Sequence, residues 1–152
     1  MKRKVLFLCT GNSARSQMAE AIVNARLGDV WDAVSAGTEP AGYVHPMAVR
    51  ALAEIGIEHE GRSKGALEFR DVVFDLVVTV CDDAAENCPL WLGKGQREHM
   101  GFRDPAQATG TEDKRLAVFR AVRDEIAARV PALLRQGVGR DSSSLLDQDA
   151  EH

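Results

Sequence analysis

The string Cys9-Thr10-Gly11-Asn12-Ser13-Ala14-Arg15-Ser16 sets a thiol and a guanidinium at the two ends of a short loop. A loop of that length can wrap a tetrahedral anion, with Arg15 returning as a planar two-pronged donor to its oxygens. Gly11 and Asn12 tolerate positive φ, so successive backbone N–H groups are able to converge as a nest, and a helix beginning just beyond adds its positive end. The same field favours a thiolate at Cys9, the form that attacks an electrophile. Ser16, or Ser13 within the loop, offers a hydroxyl to the sulfur. A strand-end cysteine alone is equally well a small buried hydrophobe; the full string argues for an oxyanion-binding nucleophile.

Three more residues carry chemistry. In Phe102-Arg103-Asp104-Pro105 the proline stiffens the chain and keeps Asp104 extended rather than helical. A carboxylic acid fixed near a bound oxyanion can protonate an oxygen as it leaves, although Asp-Pro is also an ordinary loop sequence. Cys81 and Cys88 are the other thiols. If the stretch between them were helical, seven steps would hold their Cα atoms roughly 10.5 Å apart, beyond the limit of about 7 Å for a disulfide. Bridging them therefore requires that stretch to unwind, which couples oxidation to a change of shape. Zinc is a competing use but is short of ligands, since structural sites want closely spaced pairs and four donors, and only three cysteines and the distant His99 are at hand. Two unrelated buried thiols are the plain alternative.

These residues need a scaffold that brings four separate segments together. The run Lys4 to Leu8 reads as a strand delivering Cys9, followed by a helix from Ser16 to about Leu27 with Met18, Ala19, Ile22 and Val23 inward. Val30 to Ser35 reads as a second strand, and a helix opening near Pro46 turns Val49, Leu52 and Ala53 inward. Ser63 to Phe69 forms a short helix, and Leu76 to Val80 is a β-branched strand buried on both faces, ending at Cys81. A short strand near His99 to Phe102 precedes a long helix, N-capped by Thr111, with Leu116, Phe119, Val122, Ile126 and Val130 at helical spacing. Pro131 should kink or end it. Such alternation implies an α/β fold, a parallel four-stranded sheet with helices on both faces, in which loops at the carboxyl ends of strands build the site. Cys9, Ser35, Cys81 and Asp104 all fall at such ends.

At 152 residues and 45% hydrophobic content the chain makes one domain, spanning residues 1–136, and the glycines and triple serine of 137–152 are expected to form a flexible C-terminal tail. A net charge of −4 disfavours broad nucleic-acid binding. No run approaches the roughly 18 apolar residues of a membrane span, and the apolar stretch after Met1-Lys2-Arg3-Lys4 is too short for a signal peptide. A cytoplasmic chain is expected, where an odd cysteine count points to reactive thiols rather than a disulfide framework.

The chain resembles the thioredoxin-coupled arsenate reductases, which share the fold of low-molecular-weight protein tyrosine phosphatases. The marks are Cys9 through Arg15-Ser16-Gln-Met-Ala-Glu20, Ser35-Ala-Gly-Thr38, Val80-Cys81-Asp82 with Cys88-Pro89, and Phe102-Arg-Asp104-Pro105. The resemblance implies that Cys9 attacks arsenate held by the loop amides and Arg15 while Asp104 protonates the leaving oxygen. It implies further that Cys81 attacks Cys9 as arsenite leaves, that Cys88 then attacks Cys81, and that thioredoxin reduces the resulting Cys81–Cys88 disulfide. No bound cofactor is implied. Some relatives build a potassium site behind the loop from residues matching Asn12, Glu20, Ser35 and Arg62-Ser63-Lys64; they have an acid where this chain has Lys64. An ammonium there would neutralise Glu20 and make activity independent of potassium, whereas a solvated surface lysine would leave the matter untouched. The phosphatases usually carry an aromatic residue after Asp-Pro, where this chain has Ala106, and Tyr43 is the only tyrosine. A phosphatase acting on aryl phosphates needs only Cys9, Arg15 and Asp104, the reductase needs Cys81 and Cys88 as well, and a non-catalytic oxyanion or redox sensor needs no turnover.

Overall fold

The alternation of apolar side chains decides the architecture. In β1 (Arg3–Cys9), Val5, Phe7 and Cys9 face one core cluster and Leu6 and Leu8 the other, all of them buried. A strand apolar on both sides belongs in the middle of a covered sheet. The computed structural model describes residues 2–82 and 95–136 and places β1 there. The sheet runs β2-β1-β3-β4, with β2 (Trp31–Gly37), β3 (Leu76–Thr79) and β4 (Gln96–His99), and every pairing is parallel. Leu8 stands opposite Ala36 on one side and Thr79 on the other, so the three strands end almost level. The order reverses between β1 and β3, the place where open α/β sheets hold ligands.

The larger core lies on the face carrying Val5, Phe7 and Val78, where Met18 and Ile22 of α1 (Arg15–Arg26), Leu52 of α2 (Pro46–Ala53) and Phe119 of α3 (Glu112–Gln136) pack together. The other face is covered by Phe74 and by Ala66 and Phe69 of a 3-10 turn (Ala66–Phe69), packed on Leu6, Leu8 and Val77. Thr111 caps α3 as expected, its Oγ1 accepting from Lys114 N at 3.2 Å.

Three expectations need correction. α2 turns Met47, Ala48, Ala51 and Leu52 inward; Val49 is half-buried and Ala53 exposed, because the helix begins at Pro46 and its buried stripe follows from that start. β4 lies three residues earlier than the apolar pattern suggested, since an exposed edge strand carries no alternation to read. Met100 and Phe102 still bond the end of β3, donating to Thr79 O at 2.8 Å and Val80 O at 3.2 Å. α3 runs through Pro131, which is buried between Val130 and Leu134; tertiary burial outweighs the missing donor. Cys88 and the 137–152 segment lie outside the described residues. Among the described residues no helix is long and apolar enough to cross a membrane.

Candidate active site

The loop between β1 and α1 is shaped by a neighbour. The segment after β2 runs along its outside, with Thr38 N donating to Cys9 O at 3.3 Å, Glu39 N to Thr10 O at 2.9 Å, Ala41 N to Gly11 O at 2.9 Å and His45 N to Ser13 O at 2.8 Å. In a planar trans peptide the N–H points opposite the preceding C=O, so the amides of Thr10, Gly11, Asn12 and Ala14 turn the other way, into the loop. Of the two residues expected to tolerate positive φ, only Asn12 adopts it, at 51°. Gly37 ends β2 beneath the loop, where a Cβ would stand 2.4 Å from Thr10 O and 3.1 Å from Asn12 N.

The loop closes on the sulfur. Cys9 is a free thiol, 1% exposed, with its Sγ 2.9 Å from Ser16 Oγ and 3.2 Å from Asn12 N, which donates to it. Of the two serines, Ser16 is therefore the one that serves the sulfur. Arg15 is nearly buried; one guanidinium nitrogen donates to Phe102 O at 3.3 Å and the other lies 3.5 Å from Asp104 Oδ2. Asp104 keeps the extended backbone expected before proline, φ −81° and ψ 107°, and its Oδ1 accepts from Ala106 N at 3.0 Å, capping the 3-10 turn Pro105–Gln107. Loop residues Cys9 to Arg15, together with Asp104, Ala106 and Gln107, line one open pocket of about 550 Å³. The nucleophile, the guanidinium and the carboxyl are thus brought together.

Two other strand-end residues stand close by without lining that pocket. Val80 N donates to Leu8 O at 3.0 Å, so the chain beyond β3 continues beside Cys9, and Cys81 is the next residue. Cys81 is fully buried and disulfide-bonded, its partner lying outside the described residues. Ser35 sits behind the loop. Its Oγ donates to Glu20 Oε1 at 2.6 Å, and the Lys64 ammonium lies 3.6 Å from that oxygen, 3.5 Å from Ser35 Oγ and 3.0 Å from Arg62 O. Lys64 N donates to Asn12 Oδ1 at 2.9 Å. The lysine is thus buried, not solvated. A parallel bridge between Gly37 and Gly65 holds its segment there.

Sequence reasoning missed two residues. Gln17, fully buried, bonds the backbone and side chain of Asn12. His45 is the second: its Nδ1 accepts from Met47 N at 3.1 Å, capping α2, and its ring packs on Phe119 at 4.6 Å between centroids. Burial holds His45 below the ordinary imidazole range, Arg115 adding to the effect and Asp104 opposing it. His59 is likewise held low by burial, with Glu20 opposing and Lys64 reinforcing. The only sequence signal for Gln17 is an amide in the first turn of a helix whose neighbours are all core. Among the described residues no cluster of His, Cys, Asp or Glu could hold a metal ion.

Residues 4–144 match the family model described as low molecular weight phosphotyrosine protein phosphatase. An arsenate reductase of Bacillus licheniformis is 45% identical over 138 residues, covering 90% of this chain and 98% of that one. Among solved structures, an arsenate reductase from Archaeoglobus fulgidus superposes with a TM-score of 0.73 at 35% identity, covering 89% of this chain and 98% of that one. A thioredoxin-dependent arsenate reductase of Corynebacterium glutamicum superposes with a TM-score of 0.63 at 26% identity, covering 88% of this chain and 61% of that one.

Proposed function

We propose that this chain, which belongs to the low molecular weight phosphotyrosine protein phosphatase family, is an arsenate reductase that works in the cytoplasm and draws its electrons from thioredoxin. The observation that supports this most directly is a second cysteine, Cys81, held in a disulfide one residue beyond the strand neighbour of the loop nucleophile Cys9. A phosphatase would have no need of it. The arsenate reductase relatives, which match over nearly their whole length, and the thioredoxin-dependent structural relative point the same way.

Arsenate sits in the loop with its oxygens on the amides and on Arg15, which pulls electron density from arsenic. The Cys9 thiolate forms an S–As bond, and one As–O bond breaks as Asp104 gives its proton to the departing oxygen, which leaves as water. The Cys81 thiolate then attacks the sulfur of Cys9. The S–As bond breaks with its electron pair left on arsenic, which falls from As(V) to As(III) and departs as arsenite. Cys88 attacks Cys81, freeing Cys9 and leaving a Cys81–Cys88 disulfide for thioredoxin to reduce.

Lys64 bears on the cation requirement. Its ammonium fills the space among Glu20, Ser35 and Arg62 O, so these donors are satisfied and do not fit an added potassium ion. Turnover is then independent of potassium, with equal kinetics in sodium and potassium buffers; strong stimulation by potassium would sink that reading.

The test of the relay is arsenate-dependent NADPH oxidation in the presence of thioredoxin and thioredoxin reductase. Cys81→Ser should show no turnover, and Cys88→Ser should stop after a single arsenite per chain. Unimpaired turnover in either variant overturns the relay. Cys81→Ser should still cleave an aryl phosphate slowly, because that reaction ends at Cys9.

A further inference from the structure

We propose that Gln17 and His59 are positioning residues for the nucleophile: acting through Asn12 and Ser16, they fix the direction in which a hydroxyl proton is presented to the Cys9 sulfur. The proposal rests on Cys9 as the nucleophile and is independent of which oxyanion it attacks.

The direction of each hydrogen bond follows from its neighbours. Asn12 Oδ1 accepts from Lys64 N at 2.9 Å and from Gln17 Nε2 at 3.0 Å, so the Asn12 amide nitrogen must face the other way. It donates to Ser16 Oγ at 2.8 Å. Ser16, having received that bond, turns its own proton to Cys9 Sγ at 2.9 Å. A hydrogen bond of this kind to a charged acceptor is stronger than a neutral one and favours the thiolate.

Asn12 must be held for this to work, since it sits at φ 51°, where a side chain is tolerated only with local support. Gln17 provides the support, its Nε2 lying 3.1 Å from Asn12 O, 3.0 Å from Asn12 Oδ1 and 2.9 Å from Arg62 O. Three acceptors around one nitrogen fix the Gln17 amide, which leaves its Oε1 to accept from His59 Nε2 at 2.7 Å. His59 therefore carries its proton on Nε2. Gly61 is part of the device: a Cβ there would stand 2.4 Å from His59 Nε2 and 2.5 Å from Gln17 Oε1, in the space the pair occupies. Arg15, paired with Asp104, flanks the sulfur, and Glu20 and Lys64 bear on His59.

The experiment follows alkylation of the Cys9 peptide by iodoacetamide, read by mass spectrometry across pH, in the full chain without arsenate. Its outcome is thus independent of the reductase reading. Gln17→Ala should alkylate about tenfold more slowly than wild type at the acidic end of the range, with a smaller deficit at the alkaline end. His59→Ala and Gly61→Ala, at a half-buried and an exposed position, should show about a threefold deficit of the same shape. His59→Gln, which retains a side-chain N–H, should recover most of the rate. Wild-type alkylation of both His59→Ala and Gly61→Ala at every pH overturns the proposal, and so does a deficit that is equal at both ends of the range, which marks a steric change. Because these two variants lie outside the core, they answer the question even if Gln17→Ala does not fold.

Discussion

Replacing Lys64 by methionine keeps the length of the side chain and removes its charge. The ammonium lies 3.6 Å from Glu20 Oε1, with the two side chains 8% and 16% exposed. At an effective dielectric constant of about 20 the Coulomb energy at that separation is about 5 kcal/mol, much of it offset by the desolvation of both ions. The variant loses the attraction and keeps the buried carboxylate. Breaking one side of such a pair costs about 3–5 kcal/mol, and the Ser35 hydroxyl, still donating to Glu20 at 2.6 Å, puts the expected loss near the lower figure. At roughly 2–4 °C per kcal/mol for a chain of this size, Tm falls by roughly 6–12 °C. Urea denaturation of Lys64→Met, Glu20→Gln and the double variant measures the loss and the coupling. The double variant should be more stable than Lys64→Met, because no charge is left stranded. If Lys64→Met costs less than about 1 kcal/mol, the range of an exposed ion pair, the reasoning is refuted.

Gly37→Ala should weaken the binding of phosphate, used as an inert oxyanion, by at least about tenfold and lower Tm, since the new methyl meets Thr10 O and Asn12 N and pushes the loop off β2; titration calorimetry giving an unchanged Kd would show that the loop has slack. Stability should also fall with acid. His45 and His59 are both held below the ordinary imidazole range in the folded chain, so the unfolded chain binds more protons, and stability present above about pH 6.5 is lost as pH drops below it. Urea midpoints measured between about pH 8 and about pH 5 should decline in the wild type and decline less in His45→Asn/His59→Gln; equal slopes would count against the assignment.

The nucleophile, the arginine and the carboxyl were legible in the sequence because their chemistry restricts residue type and spacing within a few positions of one another, as in Cys9 to Ser16 and Asp104-Pro105. The strands β1 and β3 were legible because burial on both faces leaves an unbroken apolar run. β4 was displaced in the reading because its four residues are all exposed and carry no apolar period. Pro131 misled because local propensity is a weaker influence than the burial of its neighbours. The position of Lys64 was undecidable from sequence, since its burial depends on a bridge between Gly37 and Gly65, in segments separated by two turns and a helix. The contact between Gln17 and His59 spans 42 positions, and nothing local to either residue announces it.

The segment after β2 engages the outward carbonyls of Cys9, Thr10, Gly11 and Ser13 one after another. A loop held in this way has little freedom left to lose on binding. Ordering a comparable loop from scratch would cost about 1–2 kcal/mol for each residue. The consequence is kinetic as well as thermodynamic: an arriving oxyanion meets a receptor with little left to order, which favours capture set by diffusion and electrostatic attraction.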